Sequence, residues 1–401
     1  MASEHSAQSS GPRLRFFPAW AVVLAPPAVL AGVVAFVVGA ASAQPQGAWT
    51  ALLANWLFWM GLAQAGVVWA ATLRLAGARW SGAVERLGEA CVAFLPLALI
   101  PAVVLAAGWR HIFPWTDADL GDRIVWLEIH RLLARTFLDL GLMAVLSLLY
   151  VRHSLRQGAG TADGRSRAAL VALKVAVPIA FTVVYTLLSF DWVMALHLFW
   201  ASTVLGLYFM VGALYAGMAL LLLLAAGLRR RSSLLATLQP QQFLDCGNLM
   251  MAFGMVTTYT LFSQLIVIWY GNLPEETNFL IARLHYQPWW ALSWVYLAGG
   301  LLLPFVLLTI RENKERWSRV RWIAGLVLVG MALERYLLTA PSLAAQPQFV
   351  LGSLLVTVGF AGALILALEW YLQRYRRVFA EMRWGVFVGE AAPLEPEVEP
   401  E

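Results

Sequence analysis

Four ionisable residues stand in order within an apolar stretch of this chain: Glu128, Arg131, Arg135 and Asp139. At ~100° per residue on a helix they fall within an arc of roughly 80°. Charge inside hydrocarbon costs several kcal/mol per group unless it is paired or hydrated. A row of this kind serves proton movement, ligand binding or the locking of helices. Arg135 and Asp139, four residues apart, predict an attractive pair; Arg131 and Arg135 repel at the same spacing unless an acid intervenes. Two readings stay open: a buried ion-pair network that fixes packing, and a proton path or ligand site. Intramembrane charge favours the second.

Other ionisable groups extend the pattern. Asp191, in Ser189-Phe190-Asp191-Trp192, suits an interfacial cap or a proton relay, and His197 lies just beyond it. Glu334 and Arg335 are adjacent, so they point ~100° apart and cannot both face lipid cheaply. Thr257, Thr260 and Gln264 form one stripe, which reads as interhelical hydrogen bonding or as part of a site. Gly206, Gly212 and Gly217 predict close helix packing.

The elements that must hold these groups are membrane helices. The 401 residues are 61% hydrophobic and 13% charged, a composition that excludes an ordinary soluble domain. Apolar runs of about 20 residues predict ten spans, near 18–40, 49–72, 87–108, 127–151, 171–196, 200–227, 247–270, 287–310, 320–341 and 348–371. The predicted fold is an all-α integral membrane protein with two four-helix bundles, spans two to five and six to nine, and peripheral first and last helices. Residues 1–15 and 385–401 read as disordered tails flanking a transmembrane domain over 16–384, and 152–170 as a flexible connector. Arg13, Arg15 and the apolar run ending at Ala41-Ser42-Ala43 imitate a signal peptide cleaved at 43/44, but the run exceeds the usual apolar core, so retention as a first span is expected.

The net charge of +5 is a topology signal, not a nucleic-acid signal. One set of alternate loops holds Arg74, Arg79, Arg86, Arg152, Arg229, Arg316, Arg377 and most other cations; the other set holds only Arg110, Arg123 and Arg283. The first side is therefore expected to be cytoplasmic, with both termini on it and anionic lipid headgroups beside it. On this topology Asp139 lies ~16–20 Å along its helix at 1.5 Å per residue. Asp191, His197, Glu334 and Arg335 then fall in the outer half, which predicts one hydrated cavity open to the outside, with almost no acids in the cytoplasmic half. The outer loop 271–286 offers Glu275, Glu276 and Arg283 for docking an external partner.

Cys91 and Cys246, the only cysteines, exclude a disulfide framework, an iron–sulfur cluster and c-type haem attachment. His111, His130, His153, His197 and His285 give no opposed pair for bis-His haem, so no metal site is expected and any electron carrier belongs to a partner.

Three stretches carry a family resemblance. The first is Ser189-Phe190-Asp191-Trp192-Val193-Met194-Ala195-Leu196 with Trp200, Ser202, Thr203, Gly206 and Tyr208 after it. The second runs from Phe262 through Trp269-Tyr270-Gly271-Asn272-Leu273-Pro274-Glu275-Glu276-Thr277, followed by Arg283. The third is Leu303-Pro304-Phe305 before a basic loop. Together they resemble the ActF-like membrane subunits of alternative complex III, within the NrfD/PsrC-like family, over roughly 180–320. The resemblance implies a subunit of a quinol:cytochrome c oxidoreductase in the bacterial inner membrane. It implies a sister NrfD-like subunit, periplasmic c-type cytochromes and an iron–sulfur subunit as partners. Haem c and iron–sulfur clusters would sit only in those partners, with no cofactor bound covalently here.

From their chemistry and depth, Glu128, Asp139, Asp191, His197 and Glu334 are expected to carry protons in such a subunit, with Arg131, Arg135 and Arg335 as charge partners. Trp192, Tyr208 and Gln264 are expected to frame a quinone pocket. The chain departs from the family where a Lys, a Leu-Asn step and paired Phe precede an Arg; here the fourth span has its charge row and the single Phe137. The family's acid-and-Pro turn reads Leu196-His197-Leu198-Phe199. Rival readings are a proton-coupled secondary transporter, which needs helices broken at a midplane site, and a non-catalytic structural anchor.

Overall fold

A computed structural model describes residues 16–78, 80–113, 115, 124–197, 200–229, 236 and 238–375. Both expected tails lie outside the described residues. Among the described residues ten helices are long and apolar enough to cross a membrane: Ala19–Ala40, Gln46–Leu75, Gly82–Ala107, Ile129–Gly158, Gly164–Leu196, Leu205–Leu228, Pro240–Gly271, Trp289–Thr309, Trp317–Leu343 and Val350–Arg374. They are the first to tenth spans below. No strand occurs among the described residues. A helix satisfies its own backbone polar groups, which is the requirement hydrocarbon imposes. The chain is an all-α, multi-pass membrane protein.

Burial sorts the spans. Within the apolar windows 94% of the second span and 89% of the sixth are buried, against 17% of the first. The third and fifth spans pack on the second and the fourth packs on the fifth; the seventh and ninth pack on the sixth and the eighth packs on the ninth. The two groups meet through the second, fifth, sixth and ninth spans. The sixth can sit at this centre because its glycines admit neighbours closely: Gly206 faces Thr186, Gly212 faces Met331 and Gly217 faces Ala65. The first and tenth spans form a peripheral pair, in which a Cβ on Gly32 or on Gly359 would come within 3.0 Å of the other's backbone.

Glu369 near the end of the tenth span accepts the backbone N–H groups of Phe16 and Phe17 at 3.0–3.1 Å. This contact puts the start of the first span and the end of the tenth at one face of the bundle, the termini face. The other is the opposite face.

Several helices run beyond their apolar cores. The third span starts at Gly82, not 87, and takes in Glu85, Arg86 and Glu89, because Arg74 of the second span pairs with both acids and Arg86 pairs with Glu89 on the same helix. The expected connector over 152–170 shrinks, since the fourth helix runs to Gly158 and the fifth starts at Gly164, capped by Asp163 accepting from the Ser166 N–H at 2.8 Å. The loop 271–286 holds a helix, Pro274–Leu284, set off from the seventh span by Asn272 in the left-handed region.

Candidate functional site

The fourth span begins at the opposite face, and Glu128 is its N-cap. The Glu128 carboxylate accepts the N–H groups of His130 at 3.1 Å and Arg131 at 2.9 Å, and meets His130 Nδ1 at 2.8 Å. These bonds, led by the one from the His130 ring, hold its pKa down to about 2. Glu128 therefore does not belong to the buried row that the sequence suggests; its task is to satisfy orphan donors of a helix start. Arg131 is largely exposed, with Glu128 3.6 Å away and the Val125 carbonyl at 3.3 Å, so it holds no inner carboxylate.

Arg135 is the first residue of the row that turns inward. The expected partner, Asp139, is not the one it takes. Its Nε donates to Asp191 Oδ2 at 2.8 Å and its Nη2 to Asp191 Oδ1, a two-pronged bridge from the fourth span to the fifth. The Trp126 ring covers the guanidinium at 3.9 Å. A tertiary bidentate contact with a fully buried acid outcompetes a single-turn pair on one helix. Asp139, one turn deeper, is 6% exposed, and its Oδ2 has no hydrogen-bond partner.

The fourth span continues this polar edge through the bundle. Its buried face carries Thr136, Asp139, Met143, Ser147, Tyr150 and Ser154 at spacings of three and four. Thr136 accepts from Trp192 Nε1 at 2.9 Å. Ser147 accepts from Gln64 Nε2 of the second span at 2.8 Å. Between Asp139 and Ser147, about 12 Å along the axis, lies an apolar gap. A hollow of about 20 Å³ lined by Met60, Gln64, Leu140, Met143 and Tyr185 occupies it, enough for one water at most.

Near the termini face the file ends in a buried charge cluster that the sequence reading missed. Ser154 donates to Glu89, whose carboxylate also pairs with Arg86 and, at 3.4 Å, with Arg74. Arg74 Nε lies 3.3 Å from Glu85. The expectation of almost no acids in this half is thus corrected. The signal was present as Glu85-Arg86-x-x-Glu89, but drawing the span from 87 left it half in a loop.

Glu334 and Arg335 form a second centre, apart from the first. Arg335 Nη1 lies 2.9 and 2.7 Å from the two Glu334 oxygens, and Nη2 donates to the Phe209 carbonyl at 2.8 Å. Tyr208 adjoins Glu334, and its hydroxyl is 3.0 Å from that of Tyr296. Tyr296 opens a π-helical segment, Tyr296–Leu302, whose Gly300 carbonyl accepts from Tyr215 at 3.3 Å. Glu334 is 1% exposed, and the ionisable groups expected around a single open cavity fall in separate places.

The expected quinone-pocket residues do not come together. Trp192 is fully buried against Trp56 and Phe113, and Tyr208 belongs to the Glu334 centre. Only Gln264 lines a cleft. Thr257 and Thr260 bond their own helix's carbonyls rather than a neighbour. The cleft lies near the opposite face as two adjoining hollows of about 250 and 360 Å³ that share Phe190, Met194 and Ala201. His197 lines the first, and Gln264 and Glu276 line the second. Burial, then the nearby Arg283 charge, push the His197 pKa below its ordinary value, so the ring is uncharged at neutral pH.

The docking trio is divided as well. Glu275's side chain lies outside the described residues. Arg283 is buried and spends its donors inside, on the carbonyls of Leu337 at 2.9 Å, Leu338 at 2.8 Å and Phe279 at 2.9 Å, and on Ser342 Oγ at 2.9 Å. It staples the connecting helix to the end of the ninth span rather than facing a partner. Among the described residues no group of three or more His, Cys, Asp or Glu is placed to hold a metal ion.

Comparison with known protein families finds no match, and neither does comparison with curated proteins.

Proposed function

We propose that this chain is a proton-handling membrane subunit of a quinol-oxidising respiratory complex, of the alternative complex III type, in a bacterial inner membrane with its termini face toward the cytoplasm. The resemblance over roughly 180–320 supports the complex. The observation that carries the proton role is Asp139, a buried carboxyl with an unpartnered oxygen beside the Arg135–Asp191 bridge. A buried acid without a donor costs free energy and is poorly explained by packing. Gln64, Ser147, Tyr150 and Ser154 supply hydroxyl and amide groups below it, and Glu85 and Glu89 supply acids at the far end. The apolar gap at Leu140 and Met143 is where water must enter for protons to pass.

Sister, cytochrome and iron–sulfur subunits would hold the redox centres. Asp191 and Glu334 have their oxygens occupied by Arg135 and Arg335, which favours a packing role for those two acids. The test is Asp139→Asn in the whole complex, reconstituted in vesicles with a quinol and cytochrome c. A slowed turnover with altered proton release is expected; unchanged turnover and unchanged proton stoichiometry would remove Asp139 from the path.

A further inference from the structure

The cleft near the opposite face has features that the proton path does not use. Its walls are mainly apolar, and its hollows fall near the size range of small-molecule sites, about 300–1,000 Å³. Two buried donors at its edge lack acceptors: Trp200 Nε1, in a residue lining the first hollow, and Gln264 Nε2, in a residue lining the second. Trp200 is held in place by stacking on Phe279 with centroids 3.6 Å apart. The Gln264 amide is bound to nothing, so its last torsion is free to turn it toward a ligand. A buried donor left without an acceptor costs about 1–3 kcal/mol, and two of them along one cleft are unusual.

The charge of the lining narrows the ligand further. Among the described residues the two hollows present no Lys or Arg, and Glu276 is the one carboxylate. An anionic headgroup would find no counter-charge and would meet Glu276. A hydroxyl can donate to Glu276, and a carbonyl can accept from Trp200 or Gln264. The seventh-span surface beside the cleft exposes Val267, Trp269 and Tyr270, a face suited to entry from the bilayer.

We propose that these adjoining hollows bind an uncharged, membrane-soluble molecule through carbonyl or hydroxyl oxygens. An isoprenoid quinone and a neutral glycerolipid share this chemistry. The assignment stands apart from the proton path and does not rest on it.

The experiment uses the full chain in its native complex, extracted with its surrounding lipid. Two photoreactive probes are compared, a menaquinone analogue and a diacylglycerol. One of them is expected to label peptides within 190–204 or 264–276, and the one that does names the source. Ala201→Trp fills the junction of the hollows and is expected to abolish that labelling. Gln264→Leu, which adds no bulk, is expected to lower it about fivefold, the effect of one lost hydrogen bond. It decides the matter if the Ala201 variant misfolds. Absence of labelling in these segments by both probes, or equal labelling in wild type and Gln264→Leu, overturns the site.

Discussion

Arg135 grips Asp191, 56 residues further along the chain, with two of its nitrogens, and so ties the fourth span to the fifth at the opposite face of the bundle. The bridge leaves Asp139, the nearer acid in sequence, without a donor on Oδ2. One arginine thereby leaves two neighbouring carboxylates in different states: both Asp191 oxygens are matched, and Asp139 Oδ2 is not.

This separation has a signature in stability. Arg135→Met strands the fully buried Asp191 carboxylate at an expected cost of about 3 kcal/mol, and Asp191→Asn, which leaves the half-buried Arg135 unpaired, is expected to cost less. The paired Arg135→Met/Asp191→Asn variant is expected to regain most of that loss, because both charges leave together. Thermal unfolding in detergent of the four proteins completes the cycle. Additive losses would show that the bridge is not the coupling between these residues.

Asp139 predicts the reverse combination. Asp139→Asn removes a group that no described hydrogen bond satisfies, so the unfolding temperature is expected to stay at or above that of wild type. A loss above about 2 kcal/mol would mean that the carboxylate is held by structure, as for a packing residue.

Arg283 is a staple whose geometry needs a guanidinium. Arg283→Lys keeps the charge but cannot reach Leu337, Leu338, Phe279 and Ser342 together. The expected cost is about 2 kcal/mol, with faster proteolysis or hydrogen exchange in the connecting helix Pro274–Leu284. Burial already lowers the pKa of this arginine to about 9, which still leaves it charged at neutral pH. Wild-type protection in the Lys variant would refute the staple.

Glu128 gives a pH dependence of defined sign. Its pKa in the folded protein is about 2 against an ordinary 4.5. The group is depressed on folding, so its stabilising contribution is complete above about pH 4.5 and is lost as the pH falls toward 2. Wild type is therefore expected to lose more stability between pH 5 and about 2.5 than Glu128→Gln. Parallel pH profiles for the two proteins would show that the cap contributes nothing.

The sequence by itself determined the class and the count of elements. Runs of about 20 apolar residues have no cheaper place than a bilayer, and their number and order match the ten spans. The sixth-span glycines also forecast close packing, because removing a side chain is a local act with a local effect. Partner choice was not legible. Helical spacing paired Arg135 with Asp139, while tertiary packing brought Asp191 closer and with better geometry. Glu128 read as part of the row because helical phase alone does not say where a helix begins. Arg86 read as a loop charge, and Glu85 and Glu89 beside it went unread, because hydropathy cannot see the pairing that neutralises them. Trp192 and Tyr208 come from one motif stretch and Gln264 from the next, and the three point into separate environments. Burial in hydrocarbon is a property of each segment alone, so sequence encodes it directly. A hydrogen bond or ion pair needs two groups at a fixed distance, and only the packed bundle sets that distance.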